Sequence, residues 1–484
     1  KVQTTCGTIL GKTTEGGFAF LNIPYAEPPV GERRFLPPLY PHQKWDDVLD
    51  CTAYGCAAPQ LSYEVDVMES LEKEKSEDCL NLNVFTPQAD DKKRPVLVWI
   101  HGGAFQRGAA MDFFAPKTYL EKDVVCVSVN FRLGVLGFFD VSEYLGEAYR
   151  RSANNGLLDV VAALEWIRDN IAAFGGNPEN VTIMGQSSGA KMCSTLPLMR
   201  PAKGLFQKAI ITSGGVQCTR DRQTAWAMTR RFMKAAGLTK ETAGKLLTMP
   251  WEEITALQKP VMGGLNNHAC GPVFTEEDFA EKNMYDILRN SEAMPIRVML
   301  GTNRDEMRLY TSAFGFDRMD RKMSDTLFGD NSPLVFADYE RQMDGEYTEQ
   351  KTAAFMTQYI YYHGAYRLAQ EMSKAGSTVY FFRNDFDRQP DGACHASEVQ
   401  FFMRFYDEKA QKDAGYYALA DTCTDAIAHF LWEGVPASEH MPQWTPFTVE
   451  KPTMMHLNEV CTVGEAPVPN VSKDLPDEIF RLRE

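Results

Sequence analysis

A chain of 484 residues is long enough for two to four domains of ordinary size, or for one large domain with insertions. Its 50 basic and 65 acidic side chains leave a formal charge of −15, which argues against nucleic acid or an anionic membrane surface as a partner. No apolar run reaches the roughly 18–20 residues of a membrane span, and no apolar leader opens the chain, so stable membrane insertion is not expected.

The 11 cysteines are odd in number and scattered, with no CxxC and no Cys/His cluster at zinc spacing, so no metal site is expected. Several stand inside apolar stretches such as "VVCVSV" and "KMCSTL", where a thiol behaves as a small hydrophobe. That usage suits a reducing compartment, and the expected location is cytoplasmic.

In chain order, "PVLVWI" (95–100) and "VVCVSVNF" (124–131) predict strands, the first followed at once by the turn "HGGAF". "GLLDVVAALEWIRDNIAAFGG" (156–176) predicts a helix: Leu157, Val161, Leu164, Ile167, Ile171 and Phe174 recur at helical spacing, and Gly175 is placed to end it. "VTIM" (181–184), "KAIIT" (208–212), "IRVML" (296–300) and "TVYFF" (378–382) predict further strands. Nearly continuous apolar runs of this kind suit a sheet covered on both faces. Strand and helix alternate, which predicts an α/β fold around a mostly parallel sheet. Residues 219–290 and 303–375 predict helical insertions covering the carboxyl edge of that sheet. No repeat or Pro/Ser-rich linker divides the chain, so residues 1–484 are expected to form one large domain.

After the "VTIM" strand comes "GQSSGA", in which Gly185-x-Ser187-x-Gly189 has the spacing of a nucleophile elbow. A turn tight enough to lift a serine hydroxyl above its neighbours brings the chain close to itself, so small residues must flank it. An apolar strand before the turn and a helix start after it are the setting such an elbow requires. A serine hydroxyl also needs a base, an acid to orient the base, and N–H donors for the oxyanion. The turn at Gly102, Gly103 and Ala104, directly after a strand, can supply donors. Of the eight histidines, His42 and His101 precede the serine, against the Ser–acid–His order of this architecture. His363 and His429 lie in helical patterns. His395, in "DGACHASEV", follows the "TVYFF" strand after a short loop and is the candidate base. For the acid, "VMLGTNRDEM" offers both Asp305 and Glu306 just past a strand, and spacing does not choose between them.

These segments together resemble the carboxylesterase/lipase family that includes the cholinesterases and the bacterial para-nitrobenzyl esterases. "LNIPYAEPPVGERRFLPP" (21–38), "SEDCLNLNVFTP" (76–87), "NFRLGVLGFF", "NNGLLDVVAALEWIRDNIAAFGGNPENVTIMGQSSGA", "GTNRDEMRLY" and "HASEVQFFM" carry the likeness along nearly the whole chain. The resemblance implies the α/β-hydrolase fold and a serine carboxylic-ester hydrolase without metal or organic cofactor. It assigns the nucleophile to Ser187, the acid to Glu306 and the base to His395, with oxyanion donors at Gly103, Ala104 and Ser188. Ser187 Oγ and a Glu306 oxygen are then expected at opposite nitrogens of His395. Amide, carbamate or thioester hydrolysis by the same machinery is an alternative, and a non-catalytic interaction module is a rival of another class.

The resemblance also implies two buried ion pairs, Arg34 with Glu77 and Arg132 with Asp159. The chain departs from the pattern at Gln186, where the family usually has Glu, at Val160, and at Met307 after the acid. A disulfide usual in the family is expected to be missing, because Ala58 stands where Cys79's partner belongs and Cys56 lies two residues early. Cholinesterases hold a quaternary ammonium against a Trp in the loop before "EDCL", helped by the Glu beside their serine. Here residues 58–78 contain no Trp, Tyr63 is their one aromatic, and Gln186 is neutral. The expected substrates are therefore small uncharged esters with short to medium acyl chains, with the Met-rich insertions lining an adaptable pocket.

Overall fold

The computed structural model describes residues 1–61, 74–262, 270–281, 283–290, 292–388, 392–404 and 414–483. Eleven strands form its main sheet: β1 (Lys12–Thr14), β2 (Gly17–Pro24), β3 (Asn81–Thr86), β4 (Arg94–Ile100), β5 (Val125–Val129), β6 (Gly176–Gln186), β7 (Lys208–Thr212), β8 (Arg297–Asn303), β9 (Thr378–Asn384), β10 (Thr453–Leu457) and β11 (Thr462–Glu465). Their spatial order is β11-β10-β9-β8-β7-β6-β4-β5-β3-β2-β1. From β10 across to β5 every pairing is parallel. The β1–β3 edge and β11 pair antiparallel. A separate small sheet joins Val2–Gln3, Thr8–Leu10 and Leu49–Asp50.

The apolar runs fill both faces of the sheet. In β4, Val96, Val98 and Ile100 enter one core while Leu97 and Trp99 enter the other. In β7, Ala209 and Ile211 part from Ile210 in the same way. This is the pleat acting on a strand covered on both sides, and it explains why such strands lack polar alternation.

The predicted helix over 156–176 is α1 (Asn155–Asn170), followed by a tight turn at Ile171–Phe174. Gly175 takes the left-handed conformation with φ 80° and ends it, and all six residues of the predicted stripe are buried. Gly176 already belongs to β6, so the helix is shorter than its pattern suggested. The segments beyond the core strands contribute helices at Arg222–Ala235, Trp251–Met262 and Met284–Arg289, and at Arg308–Phe314, Arg321–Phe328, Ser332–Met343, Glu349–Thr357 and His363–Lys374. Among the described residues no helix is long and apolar enough to cross a membrane.

Both expected ion pairs form. Arg34 meets Glu77 through Nε–Oε1 at 2.6 Å and Nη2–Oε2 at 2.5 Å, and also donates to the carbonyls of Leu246 and Met249. Arg132 meets Asp159 through Nη2–Oδ1 at 2.6 Å and Nε–Oδ2 at 2.9 Å. Among the described residues, which include all 11 cysteines, no disulfide forms. Cys79 is buried, and burial raises its thiol pKa well above the ordinary value.

Candidate active site

Strand β6 ends at Gln186, and helix α2 (Ser188–Thr195) begins two residues later. Ser187 between them has φ 56° and ψ −120°, a conformation that L-residues rarely adopt and that persists only under strong local constraint. The constraint is visible. Ser187 N donates to the Thr212 carbonyl at 3.0 Å, and Lys191 N donates to the Ser187 carbonyl at 2.9 Å. A Cβ on Gly185 would collide with the backbone of Gly189, and one on Gly189 with the Ile100 carbonyl oxygen. Two strand ends and a helix start thus meet with no room for a side chain.

The turn after β4 packs against this elbow. A Cβ on Gly102 would lie 3.3 Å from Ser187 Cβ. Gly103, Ala104 and Phe105 have φ of 112°, 57° and 61°, and the Gly103 carbonyl accepts from Gln106 N and Arg107 N at 3.0 and 3.1 Å. Among the described residues the N–H groups of Gly103, Ala104 and Ser188 have no protein acceptor, so three donors stay available beside Ser187.

Asp305 and Glu306, the two acids offered by the sequence, differ in position. Asp305 is partly exposed and pairs with Arg304 at 2.9 Å. Glu306 is fully buried, accepts from Asn303 N at 2.7 Å on Oε1, and meets His395 Nδ1 with Oε2 at 2.6 Å. The imidazole is 7% exposed, with the rings of Tyr361 and Tyr310 at centroid distances of 4.8 and 5.8 Å. Both tyrosines come from the helical segment after β8.

The serine–imidazole hydrogen bond expected from the sequence is not made. Instead His395 Nε2 lies 3.2 Å from Gln186 Nε2. With the Nδ1 proton directed at Glu306, the Nε2 lone pair accepts from the Gln186 amide. Hydrogen bonds of this kind are often long or misaligned in a site without substrate and tighten only when it binds. A neutral amide can make this contact as a donor, whereas the Glu usual in the family has no proton to give when ionised.

Behind the pair lies a polar cluster that the sequence reading did not single out. Glu398 is fully buried; it accepts from Asn303 Nδ2 at 2.5 Å and from Ser213 Oγ at 3.3 Å. Asn303 is held in turn by Asn384 Nδ2 at 2.8 Å. Burial, and then the negative charge of Glu306, push the Glu398 carboxyl above the ordinary carboxylate range. The available signal was the strand endings: Asn303 and Asn384 are adjacent in register at the carboxyl ends of β8 and β9. Paired asparagines there are unusual in otherwise apolar strands.

The Carboxylesterase family model matches residues 1–468. The para-nitrobenzyl esterase of Bacillus subtilis is 32% identical over 96% of each chain. The phenmedipham hydrolase of Pseudarthrobacter oxydans is 31% identical over 99% of this chain and 98% of its own. A crystal structure of a Geobacillus stearothermophilus carboxylesterase superposes with a TM-score of 0.84 at 33% identity, covering 96% of this chain and 98% of that one. These relatives do not favour a non-catalytic module. The chain belongs to the carboxylesterase family and is a serine carboxylic-ester hydrolase with the α/β-hydrolase fold.

Proposed function

We propose that Ser187 is the nucleophile, His395 the general base and Glu306 the acid that orients it. The backbone N–H groups of Gly103, Ala104 and Ser188 hold the oxyanion. The observation that carries this reading is the 2.6 Å contact between Glu306 and His395, formed by residues 89 positions apart in the chain and buried at the strand ends around a strained Ser187.

On this reading substrate displaces the Gln186 amide from Nε2, and His395 takes the Ser187 proton as Oγ attacks the ester carbonyl. The oxyanion takes up three N–H groups that, among the described residues, have no protein acceptor to give up, which keeps reorganisation small. Collapse of the tetrahedral intermediate breaks the bond to the alcohol oxygen, which receives the proton from His395. Water then attacks the acyl-serine with His395 again as base, releasing the acid and restoring Ser187. Glu306 stays ionised throughout and stabilises the imidazolium. Residues 1–484 act as one unit, with the insertions at 219–290 and 303–375 over the site; Tyr310 and Tyr361 from the second support this by their contact with His395.

The substrates are short to medium-chain esters without a cationic group. Gln186 gives the nucleophile a neutral neighbour, which supports poor turnover of choline esters. Tyr63 and most of its loop, residues 62–73, lie outside the described residues. The test is a fluorophosphonate probe followed by peptide mass spectrometry. The expected result is one adduct, on the peptide carrying Ser187, with loss of 4-nitrophenyl butyrate hydrolysis. An adduct elsewhere, or full activity after labelling, overturns the assignment.

A further inference from the structure

The helix that carries Tyr361 is not a regular one. Glu349–Thr357 and His363–Lys374 join through a single π-helical turn, Gln358–Tyr362, in which His363 N donates to the Gln358 carbonyl. Such turns are rare and cluster at functional sites. Each takes in one residue more than an α turn, and one residue is worth about 100° of helix rotation. The extra residue therefore decides where the side chains around it face. The Tyr359 hydroxyl donates to Asp338 Oδ2 at 2.5 Å and the Tyr362 hydroxyl to the Pro467 carbonyl at 2.7 Å. Between them the Tyr361 ring meets the imidazole of His395, 4.8 Å away between centroids and tilted by 41°.

Gln217 braces this turn from outside. It lies in the short turn Val216–Cys218, shortly after Thr212, whose carbonyl accepts from Ser187 N. Its Nε2 donates to the Ile360 carbonyl, inside the π turn, at 3.0 Å. Its amide fills the space of two missing side chains. A Cβ on Gly364 would lie 1.9 Å from Gln217 Cδ, and one on Gly215 would lie 2.3 Å from Gln217 Oε1. Glycine inside a helix costs stability, and Gly364 is inside one. Gln217 Oε1 is buried and, among the described residues, makes no hydrogen bond. Packing alone would be served better by an apolar side chain at 217 and an alanine at 364. The chain instead keeps a π turn, a helical glycine and an unpartnered oxygen at one place, and Tyr361 is what that place holds against the imidazole.

The imidazole becomes a cation only while Ser187 attacks and the alcohol departs. An aromatic face within about 6 Å attracts a cation. Tyr361 is 3% exposed, and burial raises its hydroxyl pKa well above the ordinary tyrosine value, so the ring stays neutral. Glu306 fixes one edge of the imidazole, and Tyr361 bounds one side of it. Both effects are strongest in the transition state, so they act on kcat rather than on KM.

We propose that Tyr361 is a positioning residue for the general base, and that Gln217 sets its place by locking the π turn. The proposal rests on the serine-esterase reading and adds to it two residues that act through His395.

The test measures kcat and KM for 4-nitrophenyl butyrate. Tyr361→Leu should lower kcat by about tenfold or more and leave KM within about twofold of wild type. Tyr361→Phe, which keeps the ring, should hold kcat within about threefold. Gln217→Met keeps the length of the side chain, loses the donor, and should lower kcat by a factor similar to that of Tyr361→Leu. Added to Tyr361→Leu, it should cost less than about twofold more, since both act through one contact. Gly364→Ala displaces the same amide from the other side and repeats the cycle where Gln217→Met folds poorly. Unchanged kcat in Tyr361→Leu, or equal losses with Leu and Phe, overturns the role of the ring. Losses that multiply in the double variants overturn the link from Gln217. Labelling of wild-type Ser187 by the fluorophosphonate probe reports on the esterase reading separately, so the two failures are distinguishable.

Discussion

Two buried pairs, Arg132–Asp159 and His395–Glu306, look alike by distance and burial and differ in what they leave over. Each has a closest contact of 2.6 Å, and in each the carboxylate is fully buried. Asp159 receives Nε, Nη2 and the backbone N of Arg132, and the remaining Arg132 nitrogen donates to the Leu36 carbonyl at 2.7 Å. Nothing on that pair remains to react. Glu306 is just as fully occupied, by Asn303 N and His395 Nδ1, but the second imidazole nitrogen meets only a neutral amide at 3.2 Å. A saturated pair stabilises the fold, and a pair with one displaceable partner suits the proposed chemistry.

The largest effect expected from this contrast is chemical. Ser187→Ala removes the proposed nucleophile, so kcat should fall by about 10³-fold or more while the melting temperature stays close to wild type. Retention of most activity in a purified Ser187→Ala protein would place the nucleophile elsewhere.

The saturated pair should show the reverse. Asp159→Asn leaves the Arg132 charge buried without its counter-ion and should destabilise the protein by about 3–5 kcal/mol in denaturant titrations. The molecules that remain folded should keep kcat within about tenfold of wild type. A loss of kcat comparable to that of Ser187→Ala, with unchanged stability, would erase the distinction.

Gln186→Glu sharpens the comparison from the catalytic side. It puts a carboxylate beside the imidazole, which favours the protonated ring. The acid limb of kcat/KM should move to higher pH. An unmoved limb would mean that the amide contact with His395 is not kept in solution.

The smallest effect concerns Glu478, an acid with no saturating partner. Its Oε2 is buried without a hydrogen bond, and burial pushes its carboxyl up to about 7. Between its ordinary value near 4.5 and that value the folded state holds a proton the unfolded chain lacks. Stability contributed by this group is therefore lost as pH rises through that window. Glu478→Gln should be more stable than wild type at pH 8 by about 1–3 kcal/mol, with the margin closing by pH 4.5. A margin independent of pH would assign the effect to packing instead.

How much of this was legible follows from the physics of each part. The β4–β9 strands were readable because burial on both faces writes a continuous apolar run. β1–β3 and β10–β11 were not assigned: they lie toward the sheet edges, and β1 and β11 have largely exposed residues and no such run. The elbow was readable because its steric demand selects glycine at two fixed positions. The choice of Glu306 over Asp305 was not legible in local spacing, since both follow the same strand and only the return of the chain through β9 to His395 separates them. Gln186 could be seen as a departure, but its hydrogen bond to His395 depends on a side-chain rotamer, which no pattern of residues records.

The backbone collision at Gly189 also bears on how such a protein can change over time. Because the Ile100 carbonyl closes the space where its side chain would go, the end of β4 and the first turn of α2 are welded through main-chain atoms alone. Mutation cannot tune that joint by degrees; any side chain larger than hydrogen displaces the end of β4 or the first turn of α2. Selection for new substrates must therefore leave the joint untouched and act on the side chains around it.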